Sequence, residues 1–187
     1  IRETILEALQ EAKIPARALA GIGVGCPGVL DLDKGVILEA PNLAWKRVPL
    51  RALLTSWFHC PVVLVNDVDA GTYGEYRFGA GKGARTLVGV FPGTGIGGGC
   101  VYAGQLLRGK TGSAMEIGHL PISEHGRLCG CGRRGCLEAQ VGRLAISAEV
   151  AQASFRGEAP YVAANAGADL KKLKSGLLAK AVKAGDA

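Results

Sequence analysis

Apolar residues recur along the chain at two spacings, one helical and one extended, and their alternation predicts a mixed α/β protein. Residues 2–13 place Ile5, Leu6 and Leu9 on one helical face with charges opposite. Leu19 to Val24 reads as a buried strand ending in Gly25-Cys26-Pro27-Gly28. Residues 31–35 form a turn, residues 36–38 a short strand and residues 48–58 a second amphipathic helix. Residues 61–65 are a strong strand that terminates at Asn66-Asp67. Asp67 is placed as the N-cap of a helix running to about Tyr76, since its carboxylate can accept backbone N–H bonds. Strands over 86–91 and 98–106 follow, joined by Gly93-Thr94-Gly95-Ile96-Gly97. Residues 116–138 are irregular, and helical patterning returns over 137–155 and 168–183 with a loop between.

The chain has 187 residues, of which 48% are hydrophobic and 20% charged, a balance that suits a globular domain with a buried core. No apolar run approaches the roughly 18 residues that would suggest a membrane helix. Ile1-Arg2-Glu3-Thr4 has neither an initiator Met nor a secretory pattern, and predicts a piece of a longer chain. The net charge of +6 is scattered, with clusters at Arg127/Arg133/Arg134 and Lys171/Lys172/Lys174. Few aromatics interleave with it, so a nucleic-acid surface is not indicated, and anionic substrates explain the excess as well.

Two stretches match G-x-G-x-x-G, beginning at Gly23 and at Gly93. A dinucleotide site requires a helix directly after the glycines, and both stretches run instead into turn or strand patterning. No G-x4-G-K-[ST] is present either. The second loop can still bind phosphate, because backbone N–H groups unhindered by Cβ atoms can converge on an anion beside the Thr94 hydroxyl.

Of six cysteines, Cys26, Cys60 and Cys100 sit singly in apolar stretches and read as buried small hydrophobes. Cys129, Cys131 and Cys136 follow His119 and are interleaved with Gly130, Gly132 and Gly135. Three thiolates and one imidazole suit a closed, tetrahedral and therefore structural Zn²⁺ site. His125 is the alternative imidazole. The spacing favours metal over disulfides and hence a reducing cytoplasm.

The stretch from Glu116-Ile117-Gly118-His119 through Cys129-Gly130-Cys131-Gly132-Arg133-Arg134-Gly135-Cys136-Leu137-Glu138 resembles the ROK pattern E-x-G-H-x9-C-x-C-G-x2-G-C-x-E. Other segments are similar in the same order. They are residues 23–31, Pro41-Asn42-Leu43-Ala44-Trp45, Val65-Asn66-Asp67 with Gly74-Glu75, and the Gly93–Gly99 loop. The resemblance covers nearly the whole chain and weakens after about residue 155. ROK comprises bacterial sugar kinases and related sugar-responsive repressors.

The resemblance implies the actin-like (ribonuclease H-like) ATPase fold, with two lobes around a cleft. Residues 1–66 are expected to be the remainder of the small N-terminal lobe. Residues 67–187 are expected in the larger lobe, with a zinc-binding insert at 116–138 and the C-terminal part missing. The D-x-G-G-T turn of the family's kinases is absent, and Asp69 stands where many members carry Asn. The implied activity is ATP-dependent phosphorylation of a hexose hydroxyl, with Mg²⁺ accompanying the nucleotide. Asp67 is the implied general base. Asn42, Asn66, Asp67, Glu116, His119 and Glu138 are the implied sugar contacts, and Gly93, Thr94, Gly95, Gly97 and Gly98 the phosphate loop. His119 would serve metal and sugar with its two nitrogens. Dimers are common in the family. The rival expectations are a sugar-responsive repressor, whose DNA-binding domain would precede Ile1, and a non-catalytic sugar-binding fragment.

Overall fold

A computed structural model describes residues 1–187 apart from 41, 42, 111, 113, 168, 171 and 187. Asn42 and Lys171, both singled out above, therefore lie outside the described residues. Two compact units are present, one formed by residues 1–89 and 99–114, the other by residues 90–98 and 115–187.

The first unit begins with α1 (Arg2–Glu11), whose Leu9 is buried and Ile5 half-buried. Leu6 is exposed: at about 100° per residue it turns away from the face that Ile5 and Leu9 share at i, i+4 spacing. Strand β1 (Ile22–Cys26) pairs in parallel with β5 (Val62–Asn66), and Cys26 lies opposite Asn66. Between them in sequence, β2 (Val29–Asp31), β3 (Val36–Ala40) and β4 (Trp45–Val48) form an antiparallel meander. Helix α2 (Leu50–Phe58) follows, and its buried Leu50, Leu54 and Phe58 recur every four residues, as one helical face requires. These side chains join Leu9, Cys26, Ile37, Ala40, Cys60, Val62 and Leu64 in a single core.

Helix α3 (Asp67–Phe78) starts directly from the end of β5 and stays within this unit, touching β1 and β5. The chain around Asn66-Asp67 is thus internal to one compact unit.

Strands β6 (Thr86–Pro92), β7 (Ile96–Tyr102) and β8 (Gln105–Leu106) form the third sheet, and β6 and β7 each contribute residues to both units. The single strand expected over 98–106 is broken at Ala103-Gly104, where φ is +47° and +85°. Two left-handed residues make the tight turn that lets β8 fold back on β7.

The second unit adds α4 (Leu137–Val141), α5 (Arg143–Phe155), α6 (Pro160–Asn165) and α7 (Ser175–Lys183). Ala159, Val162, Leu173 and Ala181 form its buried cluster. Helix α6 occupies the expected loop: Pro160 pre-sets its first turn, and the buried Asp186 carboxylate accepts the N–H groups of Tyr161 (3.0 Å) and Val162 (2.9 Å). Among the described residues no helix is long and apolar enough to cross a membrane.

Candidate functional site

The sequence places Asn66 and Asp67 where a buried strand turns into a helix. The N-cap is Asn66 rather than Asp67: its backbone is extended, and its Oδ1 accepts the N–H groups of Val68 (2.9 Å) and Asp69 (3.3 Å). Either residue type caps well, but the last extended position of β5 falls on Asn66, so the shorter reach to the second and third amides belongs to it. Asp67 is the first helical residue and is exposed, with its Oδ1 accepting the N–H of Val68 at 3.0 Å. Its charge lies beside Cys26, whose thiol is pushed up first by burial and then by that carboxylate. Burial likewise pushes the Asp69 carboxyl up, against the pull of Arg108.

The remaining candidates belong to the second unit. A 3-10 turn at Ile117–His119 presents His119, and the backbone of 120–137 doubles back so that three cysteines meet its ring. Bridges Pro121–Cys136 and Leu128–Arg134 hold the two legs, and Cys129 N–H donates to the Arg133 carbonyl at 2.7 Å. Glycine is required where the knuckle bends. Gly132 and Gly135 have φ of +87° and +76°, and a Cβ on Gly135 would run into the Ser123 carbonyl.

The ligand atoms of His119, Cys129, Cys131 and Cys136 all lie within 4.8 Å of one another. The His119 Nδ1 to Cys129 Sγ distance is 3.5 Å, and the Cys131 to Cys136 Sγ distance is 3.7 Å. Tetrahedral zinc with bonds of about 2.3 Å to sulfur separates its ligand atoms by about 3.7 Å, so the donor set and its spacing fit that ion. Without a metal the thiols are uneven. Arg133, through its backbone N–H and then its side chain, holds Cys131 down to about 6, while burial and the adjacent thiols push Cys136 up to about 11. The other nitrogen of His119, Nε2, is 4.0 Å from Glu116 Oε2. One nitrogen of His119 thus faces the sulfurs and the other an exposed carboxylate.

Glu138 follows two residues after Cys136, in the first turn of α4. Its Oε2 accepts the N–H of Ile96 at 2.9 Å, and its Oε1 is 3.9 Å from Cys129 Sγ. Side-chain spacing in the sequence could not reveal this bond, which spans 42 residues. The glycine loop before Ile96 is fixed from a second direction. The amides of Arg143 and Leu144, at the start of α5, donate to the carbonyls of Gly93 (3.1 Å) and Thr94 (3.3 Å). The Arg143 guanidinium donates to Thr94 Oγ1 at 2.7 Å. Arg143 lies just past the end of the cysteine motif, and no spacing in the sequence ties it to Thr94. Thr94, Cys129 and Glu138 line a common cavity of about 440 Å³, beside which Arg127 pairs with Glu149. Asn66 and Asp67 thus belong to the first unit, and Glu116, His119, Glu138, the cysteines and residues 93–98 to the second.

Known proteins share this architecture. The glucokinase of Thermotoga maritima is 42% identical over 147 residues, which are 78% of this chain and 45% of that protein. The xylose repressor of Caldicellulosiruptor bescii is 37% identical over 136 residues, 73% of this chain and 34% of the repressor. The chain therefore spans less than half the length of these curated relatives. Among solved structures, a ROK family glucokinase from Streptomyces griseus in complex with glucose and AMPPNP superimposes with a TM-score of 0.79 at 30% identity. The match covers all of this chain and 60% of that one. The ROK family profile matches residues 1–186, and with these likenesses it establishes that the chain belongs to the ROK family and has the actin-like ATPase fold of its sugar kinases.

Proposed function

We propose that the protein containing this chain transfers the γ-phosphoryl group of ATP to a hydroxyl of a hexose, with Asp67 as general base. The observation that carries this reading is the division of labour at the start of α3. Asn66 takes the helix cap, and an exposed carboxylate stands next to it with its second oxygen not required by the helix end. In the reaction the sugar hydroxyl gives its proton to Asp67 as its oxygen attacks the γ-phosphorus, and ADP leaves with the bridging oxygen. The glucokinase relatives and the glucose and AMPPNP complex of the Streptomyces griseus protein support the substrate classes.

Asn66, Glu116, His119 and Glu138 are proposed to contact the sugar, as is Asn42, which lies outside the described residues. Residues 93–98 are proposed to receive the phosphates through backbone N–H groups and the Thr94 hydroxyl. Magnesium bound with the nucleotide would neutralise phosphate charge. Zinc held by His119, Cys129, Cys131 and Cys136 is structural in this reading: four protein ligands leave it no open position, and it fixes the His119 ring with Nε2 directed away from the metal. The Asn66-Asp67 pair and the complete glycine loop favour the kinase over a sugar-responsive repressor, the reading that the xylose repressor likeness supports.

The test is Asp67→Asn in the full-length protein, assayed by coupled ADP release with a panel of hexoses. A positioned base typically contributes about 10²- to 10⁴-fold, so kcat should fall by that range while hexose affinity changes by less than about threefold. Near-normal turnover in the variant removes Asp67 from the chemistry. No ADP release from the wild-type protein with any hexose leaves the repressor or binding-module reading.

A further inference from the structure

Glu138 has an assignment that sugar contact does not explain. Its Oε2 is bonded to the Ile96 amide at 2.9 Å, at the point where the glycine loop becomes β7. The fit is close: a Cβ on Gly95 would run into that same carboxylate oxygen. The backbone carrying Glu138 is in turn set by the metal-ligand residues. Helix α4 starts from Cys136, which is fully buried, and the Leu137 N–H donates to the carbonyl of Leu120, the neighbour of His119, at 2.9 Å. The loop is thus gripped at two places, through the carbonyls of Gly93 and Thr94 by α5 and through Ile96 by Glu138.

We propose that Glu138 is a positioning residue that holds the glycine loop in its nucleotide-binding shape, and that it makes the Cys3His knuckle a support for phosphate binding as well as for the sugar wall. This rests on the kinase reading above. A sugar ligand alone would alter hexose affinity; a loop brace alters nucleotide affinity when no sugar is present.

The full-length protein, its Glu138→Ala and Glu138→Gln variants and chelator-stripped wild type are each titrated calorimetrically with magnesium AMPPNP in the absence of hexose. Zinc content is measured alongside. Losing a hydrogen bond to a charged acceptor typically costs about 10- to 100-fold, and Glu138→Ala should bind the analogue that much more weakly. Glu138→Gln keeps a carbonyl acceptor for Ile96 and should stay within about threefold of wild type. Stripped wild type should weaken in the same direction as Glu138→Ala. Wild-type affinity in Glu138→Ala, or equal weakness in both variants, overturns the brace, and unchanged affinity after stripping overturns its link to the metal. Amide exchange at Ile96 separates this proposal from the kinase reading. If wild type binds no analogue, the kinase reading and the nucleotide role fall together. Exchange at Ile96 that is fast in Glu138→Ala and slow in wild type and Glu138→Gln then upholds the brace, and equal rates overturn it.

Discussion

In the first unit Ile37 and Leu54 are fully buried together with eight further core residues, whereas across residues 116–138 of the second only Gly118, Cys129, Gly135 and Cys136 are buried. Of the large aliphatics in that stretch, Leu120, Ile122 and Leu128 are 55%, 56% and 65% exposed, and Ile117 and Leu137 are only partly buried. Burying apolar surface stabilises at about 25 cal/mol per Å², so the first unit has a solvent-driven core and the knuckle has almost none. Backbone bonds shape the knuckle, and in the zinc-bound form proposed above the rest of its cohesion comes from the ion that its four donor atoms suit. Two regions of one chain therefore answer to different perturbations.

Removing the proposed zinc should have the largest effect and a local one. Structural zinc contributes about 10–16 kcal/mol in small peptides at neutral pH, and its loss commonly unfolds them. Chelation or Cys136→Ser should accelerate amide exchange over residues 116–138 by at least about 100-fold, a floor well inside that binding energy, while amides of α2 and β5 keep their protection. A knuckle that stays protected without metal would erase the contrast. Leu54→Ala should do the reverse, lowering denaturant stability by about 2–5 kcal/mol through a core cavity without loss of zinc, read by urea unfolding and metal analysis. The smallest change is Asn66→Ala, expected to cost about 1 kcal/mol for the lost cap. Asp67 Oδ1 already accepts the Val68 amide, so a change near zero would show that Asp67 can replace the cap.

The sequence was most legible where one residue's role follows from its immediate neighbours. The apolar run 62–65, of which Val62 and Leu64 are buried, and the four-residue spacing of the buried Leu50, Leu54 and Phe58 locate β5 and α2. Strands β2 and β4 were not foreseen. They have three and four residues, and the β2–β3 register shifts between Val29 and Leu30, which leaves Leu38 of β3 without a partner in β2. The helical region expected over 168–183 begins only at Ser175, and α6 depends on Asp186, 25 residues past the amide it caps. At the site, the ligand types and glycine spacing made the knuckle readable. The cap was misplaced by one residue because Asn and Asp compete for it, and only the end of β5 decides between them. The ties from Glu138 to Ile96 and from Arg143 to Thr94 span 42 and 49 residues, and no local pattern encodes them.

The attachment of α5 to the glycine loop has an electrostatic consequence. Among the described residues no peptide bond is cis, and in a trans peptide the carbonyl and the following N–H point in opposite directions. With the carbonyls of Gly93 and Thr94 turned toward the amides of α5, the N–H groups of Thr94 and Gly95 point away from the helix. Two peptide dipoles are thereby coupled in series onto a 13-residue helix, and the partial positive charge of its end is passed outward to those two hydrogens. The loop displays a helix terminus at a distance from the helix itself.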